Sequence, residues 1–356
     1  LDGDKVYAGT GQGWDSPLDP EDDKPGRGGW THCPPGAGIW QPVYLEARPT
    51  TGIDDLWVRP FPERDAAELW LETWRSDFSR TPTAVELTAY PNNFEGEPVV
   101  IGRRELAMAG PKRSVYRAGF HLPGFRWWTL EEPRLYTLRV RLLCEEESGE
   151  EKSGEAIDAQ DVTFGMRSFT QDEQAGPENT RAGTFYLNGE PIVLRGTNEM
   201  GNLSVPIQDG DPEQTIEDLL IGKAAHLNYW RITQRPVQRE VYDLCDRLGV
   251  LFQTDLPMFA ALRQSCVEET ARQAGEMERL VRRHPAAVVS SFINEPTPER
   301  NTVAKRHRVV DRATLEDFFE ICIRYTRLYN PDRVIKCVDG DYDPPPRHGM
   351  LDQHAY

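Results

Sequence analysis

The residues best placed to do chemistry close the stretch HPAAVVSSFINEP, from His284 to Pro296. A helix ends at His284-Pro285, and Val288, Val289, Phe292 and Ile293 form an apolar, β-branched run that reads as a strand buried on both faces. Asn294-Glu295-Pro296 breaks that strand, so an amide and a carboxylate stand at its C-terminal tip. In a β/α barrel this tip opens onto the reaction site, because the loops that follow the strands build the pocket. Glu295 also has a plainer reading, as a cap or a solvated charge at a strand end. Arg231 in NYWRI ends a strand in the same way, beside Tyr229, Trp230 and Ile232, which read as buried, and Asp255 closes VLFQTD.

The elements that must position these groups follow from the change of period along the chain. Residues 1–48 are rich in Gly and Pro and end in GIWQPVYLEARP, where Ile39, Val43 and Leu45 alternate with Gln41 and Tyr44 as in a half-buried strand. This is expected to be the C-terminal part of a jelly-roll-like β-sandwich, since so short a piece cannot close a sandwich alone. Residues 49–170 read as strand after strand: ELWLETW, TAVELTAY, SVYRAGFHL, RLYTLRVRLL and DVTFGMRSF, separated by turn residues. That spacing predicts an immunoglobulin-like β-sandwich, with the charged run Glu145 to Glu155 as a solvated hairpin loop and Trp127-Trp128 as core aromatics rather than a sugar platform.

From residue 171 strands alternate with helices, the sign of a parallel sheet. A hairpin turn at Asn188-Gly189 leads to a first strand at Ile192 to Arg195. Pro212 opens a helix with Ile216, Leu219, Leu220 and Ala224 on one face, and Pro236 opens another, carrying Val241, Leu244, Cys245 and Leu248 and closed by Gly249. VLFQTD is the third strand, a long helix with Val267, Met277, Leu280 and Val281 precedes the Glu295 strand, and a helix from Leu315 to Tyr329 precedes RVIKCV. MLDQHAY reads as a sixth strand. The fold class is therefore multidomain, β plus α/β, ending at residues 171–356 in an incomplete (β/α)8 TIM barrel of five to six strands.

Composition bounds the function. A net charge of −17 and a pI near 5.0 over 356 residues argue against nucleic acid and anionic membranes as partners. No apolar run approaches membrane-spanning length, and LDGDKVYAG lacks the pattern of a signal peptide, although Leu1 in place of methionine points to a natural start upstream. The six cysteines show no CxxC pair or metal-ligand spacing. They read as small buried thiols at Cys245, Cys322 and Cys337, with a lean towards a reducing, cytoplasmic compartment and no metal or other cofactor.

The domain order, with GIWQPVYLE, EEPRLYTLRV, FGMRSF, LNGEPIVLRGTN, YDLCDRLGVL and INEP in sequence, resembles the family-2 glycoside hydrolases, a family of β-galactosidases, β-glucuronidases and β-mannosidases. The resemblance implies a retaining, exo-acting glycosidase that cleaves the O-glycosyl bond of a β-glycoside such as a galactoside or a glucuronide. In that chemistry one carboxylic acid protonates the glycosidic oxygen and a second carboxylate, roughly 5 Å away, attacks the anomeric carbon. By the same resemblance Glu295 is the acid/base, Asn294 binds the sugar hydroxyl at carbon 2, Arg231 is a cation beneath the nucleophile, Tyr356 touches the nucleophile, and Asn198 in LRGTN binds substrate. The family's nucleophile lies on a seventh strand beyond Tyr356, so this chain alone is expected to be an inactive fragment. Homo-oligomers are common in the family.

Two departures bear on substrate. Met200 and Gln234-Arg235-Pro236 stand where the family usually has pocket histidines, which argues against a standard β-galactosidase. Arg235 has two readings, as partner of a sugar carboxylate or as a rim arginine with an acidic neighbour. Asp255 is expected to orient Arg231 or to bind a sugar hydroxyl, Glu199 to do likewise or to face solvent, and His354 to face the pocket or to pack in the core. A carbohydrate-binding or scaffold relative without catalysis is the competing functional class.

Overall fold

Broad alternation of apolar and polar residues produces two stacked antiparallel sheets in one compact unit, Val43–Ser168 with Arg283–Pro285. The strands are β1 (Thr51–Phe61), β2 (Ala66–Arg75), β3 (Arg80–Pro91), β4 (Val99–Glu105), β5 (Ala107–Met108), β6 (Val115–His121), β7 (Tyr136–Glu146) and β8 (Asp158–Phe164). They form one sheet in the order β1-β2-β6-β5 and another in the order β4-β3-β7-β8. Leu69 and Leu71 from one sheet meet Val85, Leu87, Leu138 and Val140 from the other in a single buried core, the arrangement of an immunoglobulin-like sandwich. The irregular step in β1 at Ile53 stays hydrogen-bonded through β8, because Asp158 Oδ2 accepts from Ile53 N (2.7 Å) and Gln160 Nε2 donates to Ile53 O (3.0 Å). Trp128 is fully buried and Trp127 is 39% exposed.

This computed structural model describes residues 43–76, 80–109, 114–146, 156–172, 183–199, 201–233, 235–258, 262, 264–296 and 311–340. The sandwich tail expected up to residue 42, most of the acidic run, Met200, Gln234, the sixth strand, His354 and Tyr356 lie outside the described residues. Of the half-buried strand expected over Ile39 to Leu45, the described part is not a strand: Val43 is 74% and Leu45 103% exposed, and the first strand among the described residues is at Thr51. DVTFGMRSF is not one strand either. β8 ends at Phe164, and Phe169 begins β9 (Phe169–Gln171), which pairs with β10 (Phe185–Leu187) in the second unit.

In that second unit β10 turns through Asn188 (φ 55°) and Gly189 (φ 83°) into β11 (Glu190–Ile192), the two left-handed residues a two-residue hairpin requires. Then follow β12 (Gly196–Glu199), α1 (Ser204–Gln208), α2 (Pro212–Ala224), β13 (Tyr229–Ile232), α3 (Arg239–Leu248), β14 (Leu251–Asp255), α4 (Val267–Val281), β15 (Ala287–Asn294), α5 (Arg312–Tyr329) and β16 (Val334–Asp339). The sheet runs β12-β13-β14-β15-β16, every neighbouring pair parallel. Strand order that follows chain order without reversal is barrel topology rather than a doubly wound sheet. Every residue of β15 is buried, Ser290 and Ser291 along with the apolar residues on either side of them. No helix among the described residues is long and apolar enough to cross a membrane.

Three local expectations are corrected. The first parallel strand is Gly196–Glu199 rather than Ile192–Arg195: Ile192 stays in the hairpin opposite Phe185, and only a glycine fits opposite Tyr229, whose carbonyl oxygen would lie 2.2 Å from a Cβ at position 196. Pro236 does not open α3, which starts at Arg239, because the Tyr242 hydroxyl accepts from Val237 N (3.0 Å) and holds the preceding segment extended. Gly249 (φ 66°) closes this helix as expected. The buried face of α2 is Thr215, Leu219 and Gly222, while Leu220 and Ala224 are exposed. The Trp230 ring lies against Gly222, where a Cβ would stand 1.9 Å from it. Gly222→Ala is therefore expected to cost about 1–3 kcal/mol in overpacking against a gain of about 1 kcal/mol in helix propensity, a net loss that a urea titration at constant slope measures.

The thiols of Cys245, Cys322 and Cys337 are buried, and burial pushes all three up, Cys337 to about 12. They are packing groups rather than nucleophiles at neutral pH.

Candidate active site

The C-terminal ends of β13 to β16 carry one continuous polar cluster. Parallel register sets Arg231 beside Gln253, Asp255 beside Ser291, and Asn294 beside Asp339, so residues far apart in sequence meet at one depth. Arg231 Nε donates to Asp255 Oδ2 (2.8 Å), and its Nη2 approaches the same oxygen at 2.7 Å and Asp339 Oδ2 at 3.5 Å. Nη2 also donates to Asn294 Oδ1 (2.7 Å). The Gln253 amide donates to both carboxylates, Asp255 Oδ1 (2.7 Å) and Asp339 Oδ2 (2.8 Å), and accepts from the Tyr229 hydroxyl (2.7 Å), which fixes its orientation. Lys336 Nζ donates to Asp339 Oδ1 (2.5 Å).

These groups sit almost wholly out of water, with Arg231 8%, Asp255 2%, Asp339 1% and Asn294 5% exposed. The cluster stands because it balances two cations against two carboxylates and meets both oxygens of each aspartate with donors. Burial pushes the Asp255 carboxyl up, with Arg231 opposing it and the Asp339 charge adding to it. Burial acts on Asp339 in the same direction, but Arg231 and Lys336 outweigh it and hold that carboxyl below its ordinary value. Asp339 is thus the firmly ionised member, and Asp255 takes up a proton first.

Glu295 follows this cluster directly. Its backbone turns left-handed (φ 47°), its N–H donates to the Asp339 carbonyl (2.6 Å), and its side chain is half-buried. The structure therefore brings Arg231, Asp255, Asn294 and Glu295 together at the strand ends. Arg231 is not a surface arginine: it is buried and held by Asp255, Asp339 and the Asn294 side chain. Of the two readings of Asp255, the orienting contact with Arg231 is the one formed.

The remaining candidates lie one strand away. Asn198 is the register partner of Arg231 and is exposed. Glu199 does not face solvent: it is fully buried, and its Oε1 accepts from Gly201 N (2.9 Å), Leu203 N (3.0 Å), Ser204 N (3.1 Å) and Ser204 Oγ (3.2 Å), while its Oε2 has no hydrogen-bond partner among the described residues. Short, repeated backbone donors make it the anchor of the loop between β12 and α1. Arg235 is half-buried and donates through Nη2 to Ser204 Oγ (2.9 Å), so the acidic rim neighbour expected in one reading is not formed among the described residues. Gln253, Lys336 and Asp339 escaped sequence reasoning. Asp339 closes an apolar strand just as Glu295 does, and Gln253 is the polar residue inside VLFQTD, which are the signals that could have found them.

The sequence profile of "Glycosyl hydrolases family 2" matches residues 51–167, and that of "Glycosyl hydrolases family 2, TIM barrel domain" matches residues 179–347. Among curated proteins the chain is similar to the β-glucuronidase of Canis lupus familiaris, 24% identical over 311 residues that cover 85% of this chain and 42% of that protein. It is also similar to the β-galactosidase of Oenococcus oeni, 23% identical over 281 residues, 75% of this chain and 26% of that protein. The chain thus spans less than half the length of these relatives. Among solved structures it is similar in fold to a Bifidobacterium dentium β-glucuronidase complexed with coumarin-3-O-glucuronide, with a TM-score of 0.60 at 18% identity over 83% of this chain and 44% of that one.

Proposed function

Because the chain belongs to glycosyl hydrolases family 2, we propose that it carries the acid/base half of a retaining glycosidase acting on β-glycosides, with Glu295 as proton donor. The observation that carries this reading is the bond from buried Arg231 to Asn294 Oδ1, immediately before Glu295. With Oδ1 held by an obligate donor, the Nδ2 of Asn294 is turned to donate to a ligand, and a sugar hydroxyl beside the reacting carbon fits it. Such a donor, fixed in advance by a buried network, loses no free energy to reorganisation as the transition state forms.

In the first step the Glu295 carboxylic acid gives its proton to the departing glycosidic oxygen while a second carboxylate attacks the anomeric carbon. In the second step the Glu295 carboxylate takes a proton from the water that releases the sugar. Among the described residues Asp255 and Asp339 are paired with cations, and Oε1 of Glu199 is held by its own loop. None of these described carboxylates is therefore assigned as the nucleophile.

A β-uronide is the favoured substrate. Relatives named β-glucuronidase recur among the similar proteins, and among the described residues half-buried Arg235 meets a neutral hydroxyl rather than a carboxylate, which suits it to a sugar acid. The full-length protein, assayed on nitrophenyl β-glucuronide, β-galactoside and β-mannoside, is expected to hydrolyse the glucuronide fastest. Sugar binding without turnover on any of the three overturns the enzyme reading in favour of a non-catalytic carbohydrate-binding relative.

A further inference from the structure

We infer that Gly340 is a positioning residue for Glu295: the absent side chain at 340, together with the carbonyl of Asp339, sets the direction in which the Glu295 carboxyl leaves the strand. The inference rests on the reading of Glu295 as proton donor. Glu295 has a left-handed backbone (φ 47°), which disfavours any residue with a Cβ by about 1–2 kcal/mol. Such a conformation persists only where its surroundings dictate it.

Two contacts from the end of β16 do so. The Glu295 N–H is held by the Asp339 carbonyl at 2.6 Å, one step beyond the last ladder pair, Asn294 with Asp339. Asp339 cannot drift, because Gln253 and Lys336 grip its two side-chain oxygens. Beside it Gly340 adopts φ 107°, and a Cβ there would stand 2.7 Å from Glu295 Cγ, 3.2 Å from its Cα and 3.3 Å from its N. A real Cβ does not approach carbon so closely, so any side chain at 340 must push the Glu295 side chain aside. The same aspartate also shares the Arg231 and Gln253 donors with Asp255, so one residue pair at the end of β16 ties the proton donor to the network that orients Asn294.

The test is a double-mutant cycle in the full-length protein, with kcat and KM on an alkyl glycoside, whose basic leaving group needs the proton. Gly340→Ala is expected to lower kcat about 10–100-fold, the scale for a displacement of about 1 Å, with KM within about two-fold. In a Glu295→Gln background the same change is expected to alter kcat less than about two-fold. Equal losses in both backgrounds, or no loss in the wild type, overturn the inference. If Glu295→Gln itself keeps wild-type kcat, the proton-donor reading fails instead. The contact is then judged by thermal stability, where Gly340→Ala is expected to lower Tm at least twice as much in the wild type as in Glu295→Ala, which lacks Cγ. Should Gly340→Ala alone not fold, Gly340→Ala/Glu295→Ala, which keeps the strain of φ 107° but loses the Cγ contact, is expected to be the more stable of the two, and equal loss of folded protein in both also overturns the inference.

Discussion

Glu278→Ala is expected to destabilise the protein by about 3–5 kcal/mol, the cost of leaving a buried charge without its partner. Glu278 lies on the buried face of α4 and is 1% exposed, and Arg333, just before β16, is 5% exposed. The guanidinium grips the carboxylate through Nε, 2.8 Å from Oε2, and Nη2, 2.8 Å from Oε1, while Asn330 Nδ2 (2.8 Å) and Ser290 Oγ (3.3 Å) supply further donors. Arg333 Nη1 also donates to the Ala287 carbonyl at the start of β15. The pair thus ties α4, the turn after α5 and the strand that carries Asn294 into one joint. Alanine removes the acceptor and leaves the buried arginine with the Ala287 carbonyl but no counter-charge. A whole domain retains only about 5–15 kcal/mol, so a loss of this size is a third or more of the stability at hand. Replacing both partners with methionine is expected to recover much of the loss, since the desolvation of both charges goes with them. The check is the denaturant midpoint at unchanged slope, and a shift worth under about 1 kcal/mol for the single variant contradicts the account.

What the sequence disclosed and what it withheld divide along a physical line. A parallel strand covered on both faces is largely apolar and β-branched, so β15 and the carboxylate at its tip are visible in HPAAVVSSFINEP. Gly249 and Asn188-Gly189 are equally plain, because left-handed caps and hairpin turns select few residue types. The polar cluster is different. Arg231 and Asn294 are 63 positions apart, and Gln253 and Asp339 are 86 apart. Only the strand register brings them together, and no local pattern encodes it. Asp339 in CVDGDYD reads as a turn residue until β16 is seen to end there, and Gly340 reads as ordinary turn chemistry until Glu295 is found against it. The face of α2 was misjudged for a related reason: apolar periodicity favours Leu220 and Ala224, but the bulk of Trp230 demands a glycine opposite it, and tertiary fit outranks local hydrophobicity.

The central claim is that Glu295 hands a proton to the departing oxygen, and its consequence is a dependence on the leaving group. Glutamine at 295 keeps the size and much of the hydrogen bonding of the acid but has no proton to give. A dinitrophenolate needs none, whereas an alkoxide cannot leave without one. General acid catalysis of this kind contributes about 10²–10⁴-fold. In the full-length protein Glu295→Gln is therefore expected to slow the glycosylation of an alkyl glycoside by that factor while slowing that of the matching dinitrophenyl glycoside at least tenfold less. The left-handed turn at Glu295 and its bond to Asp339 involve backbone atoms that the substitution leaves in place, so the variant is expected to fold as the wild type does. The most direct measurement is kcat/KM of Glu295→Gln and wild type across a series of aglycones of rising pKa: a loss that steepens as the leaving group becomes more basic is the predicted result, and wild-type rates on the most basic aglycone contradict it.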